Sequence, residues 1–274
     1  LAKGFDLRAG VSNLPCILPA PLPLAVRELG GEGPPVLVLH GLLGSSRNWQ
    51  SAGAEMAARG FRVTAADLRN HGLSPWDDDC SYAALAGDVA ALIGRAFSGP
   101  VHLIGHSMGG KAAMRLVMDR PELVSRLTVV DIAPRAYPDR LRTEFIAMES
   151  LDLAAVTSRK DADARLAATV TDWGLRQFIL TNLGQDPDGR WRWTVNRAAL
   201  TRSLPEILGN PLAPGEAWSG RTRFIRGGKS HYVRDDDFAA VRAHFPSADV
   251  VTLPESGHNP HFDARAGFVD AALG

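Results

Sequence analysis

The chain has 274 residues, 45% of them hydrophobic, and its 30 basic and 30 acidic side chains leave no formal net charge. That balance excludes a disordered segment and a strongly basic binder of nucleic acid or anionic membrane, and no apolar run reaches the length of a membrane-spanning helix. The two cysteines, Cys16 and Cys80, are too few for a disulfide framework and have no metal-site spacing around them, which fits a reducing compartment.

In chain order, residues 14–23 are rich in Pro and Leu and read as an extended lead-in. The expectation is a cytoplasmic protein; because the first residue is Leu1 rather than Met, a lost organelle-targeting segment is left open. Residues 24–29 form an early strand, 30–35 a turn, and 36–39 a buried strand that runs into the Gly-rich loop His40-Gly41-Leu42-Leu43-Gly44-Ser45-Ser46. Residues 49–59 have helical spacing. Residues 61–66 form the next strand and end in the dense polar run Asp67-Leu68-Arg69-Asn70-His71-Gly72-Leu73-Ser74. Those side chains read mainly as binding one another to fix the loop. Ser81 caps a helix through Phe97.

Residues 101–104, apolar but for His102, read as a buried strand, followed at once by Gly105-His106-Ser107-Met108-Gly109 and then by a helical pattern closed at Pro121. Strand, sharp turn and helix around G-x-S-x-G are the context of a nucleophile elbow, with Ser107 as nucleophile and small neighbours at Gly105 and Gly109. The N–H of Met108, the residue after the nucleophile, is assigned one half of an oxyanion hole. The N–H of Leu42, in the loop after the earlier strand, is assigned the other. A further buried strand over 127–130 ends at Asp131.

Between residues 134 and 218 the alternation of strand and helix stops. Residues 140–153, 162–170 and 175–183 each carry helical spacing, and 186–195 give a turn with a short aromatic strand. This stretch reads as a helical cap, so the expected division is a core of residues 1–134 and 219–274 with a cap of residues 135–218. Trp49, Phe178, Trp193 and Tyr232 are expected to line the substrate pocket, with Trp191 beside them, although aromatic residues in a cap also serve simply to pack it. The sheet resumes at 223–226 and 248–253, and a terminal helix follows through Leu273.

A serine hydroxyl needs a base to take its proton and a carboxylate to hold that base, and on this architecture the chain order is Ser, acid, His. His258, on a Gly-containing loop after the last strand, fits the base; His261 is its rival. For the acid, Asp131 ends the strand beside the nucleophile strand, and Asp235 is the alternative. Ser230 stands where a carboxylate is often found.

Taken together, these residues resemble the α/β-hydrolase superfamily, and more narrowly the YbfF-type bacterial esterase/thioesterase branch with its mitochondrial abhydrolase relatives. The likeness rests on His40 to Ser45 with Asn48-Trp49, on Asp67 to Ser74, on Gly105 to Ala113, and on Val130 to Pro134. It extends to Arg176 to Leu183 and Arg192 to Asn196, and so covers nearly the whole chain from Leu24. It implies the α/β-hydrolase fold: a mostly parallel central sheet flanked by helices, with a helical cap inserted after the sixth strand. It also implies hydrolysis of small-molecule carboxylic esters, acyl thioesters included, without metal or organic cofactor, and it supports Asp131 as the acid. Carbon–carbon bond hydrolysis, cofactor-free perhydrolysis and a slow-turnover ligand receptor are the other functions such a triad permits. The sequence leaves the oligomeric state open.

Overall fold

Side chains alternate along a strand, so consecutive apolar residues must bury two faces. Val36, Val38, Ile104, Val130 and Ile225 lie in one apolar cluster, while Leu37, Leu39, Leu103, Val129 and Phe224 lie in another. Strands of this kind require helices on both sides of the sheet. The computed structural model describes residues 20–274; Cys16 and the start of the lead-in lie outside them.

The strands are β1 (Val26–Gly30), β2 (Pro35–Leu39), β3 (Arg62–Ala66), β4 (Val101–His106), β5 (Val124–Val130), β6 (Leu183–Gln185), β7 (Trp191–Trp193), β8 (Thr222–Gly227) and β9 (Ala248–Leu253). Seven of them form one sheet in the order β1-β3-β2-β4-β5-β8-β9, and β6 and β7 make a separate hairpin. Within the large sheet only β1 runs antiparallel to its neighbour.

Helices α1 (Gln50–Ala58), α2 (Tyr82–Ala96) and α3 (Met108–Asp119) fall between the early strands. Between β5 and β8 come α4 (Arg142–Ser150), α5 (Arg159–Leu166), α6 (Trp173–Leu180), α7 (Arg197–Arg202) and α8 (Leu204–Leu208); the chain ends with α9 (Phe238–His244), α10 (Pro260–Asp263) and α11 (Arg265–Leu273). Met56 of α1 and Phe268 of α11 cover one face of the sheet. Val89 of α2, Met114 of α3 and Val241 of α9 cover the other. That second cluster continues without a break into Phe145, Ile179, Trp193 and Leu204 of the insertion.

Several expectations change. The insertion leaves the sheet after its fifth strand, not its sixth, because the described chain before β2 contributes only β1. The helix expected over 175–183 stops at Leu180: Thr194 N–H donates to Asn182 O at 2.7 Å, and Leu183 pairs with Trp193 in the hairpin. Helices α7 and α8 have six and five residues, too short for a 3.6-residue period to register. The terminal helix is broken at Ala264, whose φ of −134° and ψ of 49° lie outside the helical region. No described helix is long and apolar enough to cross a membrane.

Candidate active site

One residue separates β4 from α3, and it is Ser107. Turning a strand into a helix over so short a distance forces Ser107 to φ 50°, ψ −118°, a conformation that costs a residue with a Cβ on the order of 1–3 kcal/mol. The turn is held by the Ser107 N–H, which donates to Val130 O at 3.0 Å, and by the Lys111 N–H, which donates to Ser107 O at 3.0 Å. It also needs close backbone approach. A Cβ on Gly105 would stand 2.3 Å from Gly109 O, and one on Gly109 would stand 2.5 Å from His40 O. Met108 opens α3, so its N–H has no intrahelical acceptor and lies at the positive end of the helix dipole.

Asp131 follows β5 directly, is fully buried and has φ 50°. Its Oδ1 accepts the Gly227 N–H at 3.0 Å. Its Oδ2 accepts the His258 Nδ1–H at 2.8 Å and also the Ser230 hydroxyl. Ser230 is thus the β8-side contact that sequence reasoning missed: where a carboxylate was looked for, a hydroxyl reaches the carboxylate of the adjacent strand instead. Asp235 points elsewhere, 80% exposed and paired with Arg226 Nη1 at 2.7 Å. His261 is not presented like His258. It stacks on Trp49 with ring centroids 4.4 Å apart, and burial pushes its imidazole down to about 3. Tyr232 stacks on His258 at 3.7 Å between centroids, while the His106 Nε2–H donates to His258 O at 2.8 Å.

The polar run after β3 supports the Gly-rich loop after β2. His40 Nδ1–H donates to Gly41 O at 2.8 Å, so its Nε2 accepts the Leu68 N–H at 2.9 Å. His71 repeats the arrangement: Nδ1–H donates to Arg69 O at 2.9 Å and Nε2 accepts the Leu43 N–H at 3.2 Å. Burial, and next the neighbouring His40, push His71 down to about 3, so it is a neutral, fully engaged ring. Asp67 takes the Ser46 N–H at 2.6 Å and the Leu73 N–H at 2.9 Å. From the insertion, Asn182 Nδ2 donates to Leu43 O at 2.9 Å.

Ser107, His258, Leu42, Met108, Phe178 and Tyr232 all line one cavity of about 220 Å³. Trp49 and Trp193 do not, which corrects their expected pocket roles. Trp49 is fully buried on the opposite face of the sheet with Phe268, and Trp193 packs inward while donating its Nε1–H to Met148 O at 3.1 Å. Trp191 packs against the main apolar cluster rather than the cavity. Lys111 and Glu144 are among the wall residues that carried no sequence expectation. Lys111 sits on the buried side of α3, its Nζ donating to Leu208 O at 3.1 Å and Gly209 O at 2.5 Å with the Tyr137 ring 4.7 Å away. Desolvation pushes its ammonium down to about 7.

A strained serine between strand and helix lines the same cavity as a histidine bonded to a buried aspartate, and this arrangement is the one in which hydrolases built on a doubly wound sheet carry their nucleophile. Residues 36–271 match the Alpha/beta hydrolase family model, and the chain belongs to that family. It is 40% identical over 260 residues to the sn-1-specific diacylglycerol lipase ABHD11 of Mus musculus, covering 92% of this chain and 84% of that protein. It is 32% identical over 228 residues to Esterase YbfF of Escherichia coli (strain K12), covering 83% and 87% respectively. Among solved structures, a marine microorganism esterase superposes with a TM-score of 0.88 at 33% identity, over 92% of this chain and 98% of that one. With relatives and a structural neighbour of this kind, the chain is an ester-bond hydrolase.

Proposed function

We propose that Ser107, His258 and Asp131 act as a catalytic triad that cleaves carboxylic esters through an acyl-enzyme. The observation that carries this reading is the 2.8 Å bond from His258 Nδ1–H to the buried Asp131, on the cavity that Ser107 also lines. Because Nδ1 keeps its proton for Asp131, Nε2 is the nitrogen left to accept one.

In the proposed sequence, Ser107 Oγ adds to the ester carbonyl carbon as its proton passes to His258 Nε2. The resulting oxyanion takes the Leu42 and Met108 N–H groups. Collapse breaks the carbonyl–alkoxy bond, His258 returns the proton to the leaving alcohol, and the acyl group stays on Ser107. Water then adds with its proton passing to His258, and the acid departs as Ser107 is reprotonated. A thiol leaves by the same proton transfer, so thioesters fall within the same chemistry. The insertion, residues 135–218, acts as a cap supplying Phe178 to the cavity wall. Neutral glycerolipid esters are the favoured substrate class, since the mouse relative is named for diacylglycerol.

Steady-state hydrolysis of p-nitrophenyl esters from acetyl to palmitoyl, with an S-acyl thioester alongside, tests the reading. Ser107→Ala should lower kcat by roughly ten-thousandfold or more while leaving circular dichroism unchanged. A Ser107→Ala rate equal to wild type overturns it.

A further inference from the structure

Glu144 stands in the first turn of α4, and its side chain lines the same cavity as Ser107 and His258. Its Oε2 is shielded from solvent yet has no hydrogen-bond partner. A buried carboxyl oxygen left in that condition is costly, and the cost is recovered when a ligand brings a donor. No described cation forms a salt bridge with Glu144, and its carboxyl is pushed up by burial, with the like charge of Asp139 adding to the effect. Lys111, on the same cavity wall, is already engaged with the carbonyl oxygens at the end of α8.

We propose that Glu144 accepts a hydrogen bond from a free hydroxyl carried on the alcohol portion of the substrate, so that this cavity selects hydroxyl-bearing esters over their deoxy counterparts. The inference rests on the ester-hydrolase reading above and deepens it. A neutral hydroxyl fits better than an ammonium, because the Tyr137 ring that could face a cation already meets Lys111 Nζ at 4.7 Å and Arg135 at 3.9 Å. A partial glyceride, with an ester and a free hydroxyl on neighbouring carbons, has the required chemistry.

The test is a pair of substrates differing by one oxygen, 2-hydroxypropyl butyrate and propyl butyrate, with kcat/KM measured for wild type, Glu144→Leu and Glu144→Gln. Wild type should favour the hydroxy ester by about tenfold or more. Glu144→Leu should bring the ratio close to one, and Glu144→Gln, which keeps a carbonyl acceptor, should fall between. Because the readout is a ratio, a general loss of activity does not imitate the result. Should Glu144→Leu fail to fold, the wild-type ratio and Glu144→Gln decide the matter. Equal turnover of both esters by wild type, or an unchanged ratio in the variants, overturns the role of Glu144 and leaves ester hydrolysis standing. Absence of Ser107-dependent turnover of any ester overturns both.

Discussion

Ser107 and Asp131 share an unusual backbone state, each at φ 50° without being glycine. Strain of this kind persists only where surrounding bonds over-determine it. Here the Ser107 N–H is tied to Val130 O at 3.0 Å and the Asp131 N–H to Ile225 O at 2.8 Å, so both residues hang from the same run of adjacent strand ends. The proposed roles make a contrast between two acids. Asp131→Asn should lower kcat on p-nitrophenyl butyrate by roughly ten-thousandfold, because an amide facing Nδ1 favours the wrong tautomer of His258. Asp235→Asn should stay within about threefold of wild type, since its carboxylate serves an exposed pair with Arg226. The opposite pattern would assign the acid to Asp235.

The loop from Gly41 to Ser46 is an element fixed from two sides. Leu43, at φ 58°, has its N–H on His71 and its carbonyl on Asn182. The first contact comes from the loop after β3 and the second from the insertion, so the residue next to the proposed oxyanion donor is clamped between core and insertion. A further link joins them: Asn196 Nδ2 donates to Asn70 Oδ1 at 3.0 Å, and the Asn196 N–H donates to Asn70 O at 2.9 Å. Removing the Asn182 amide frees Leu43 O and loosens the loop. Asn182→Leu should therefore reduce kcat by about tenfold to a hundredfold, with a cooperative melt retained. A kcat equal to wild type would show that His71 alone holds the loop. The sequence already marked 67–74 as a run of residues fixing one another, and its partners prove to include the Gly-rich loop. No local pattern announces that, because the bonds join segments 28 residues apart for His71 and 139 apart for Asn182.

At the scale of the whole molecule, buried imidazoles link stability to acidity. Burial pushes His71, His102 and His261 each down to about 3, with nearby Arg126, Arg221 and Arg223 adding to the shift at His102. A folded pKa depressed below the unfolded value of about 6.5 means that the unfolded chain binds more protons in the acid range. Stability contributed by these neutral rings is therefore complete above about pH 6.5 and is lost as pH falls toward 3, at up to about 1.4 kcal/mol per pH unit for each ring. Urea unfolding between pH 8 and 5 should show a midpoint that declines below about 6.5, and His102→Gln should flatten that decline. A midpoint independent of pH would mean that these rings fold with their protons. The exposed ion pairs contribute little to this dependence.

The sequence by itself determined what contiguous residues encode. An apolar strand running into G-x-S-x-G and a helix start defines the elbow within a dozen positions, and β4, Ser107 and α3 stand where that pattern puts them. The central strands β2 and β4 were legible because strands buried on both faces are near-continuous apolar runs. Tertiary structure alone decided matters that depend on where side chains point after the chain has folded. It joined His258 to Asp131 across 127 residues, brought the Ser230 hydroxyl to the same carboxylate across 99, and turned Trp49 and Trp193 away from the cavity. It also placed Glu144 on the cavity wall with an oxygen lacking a partner. A carboxylate in the first turn of a short helix looks like any other solvated acid in the sequence, and only the packing of α4 against the cavity shields its Oε2 from water.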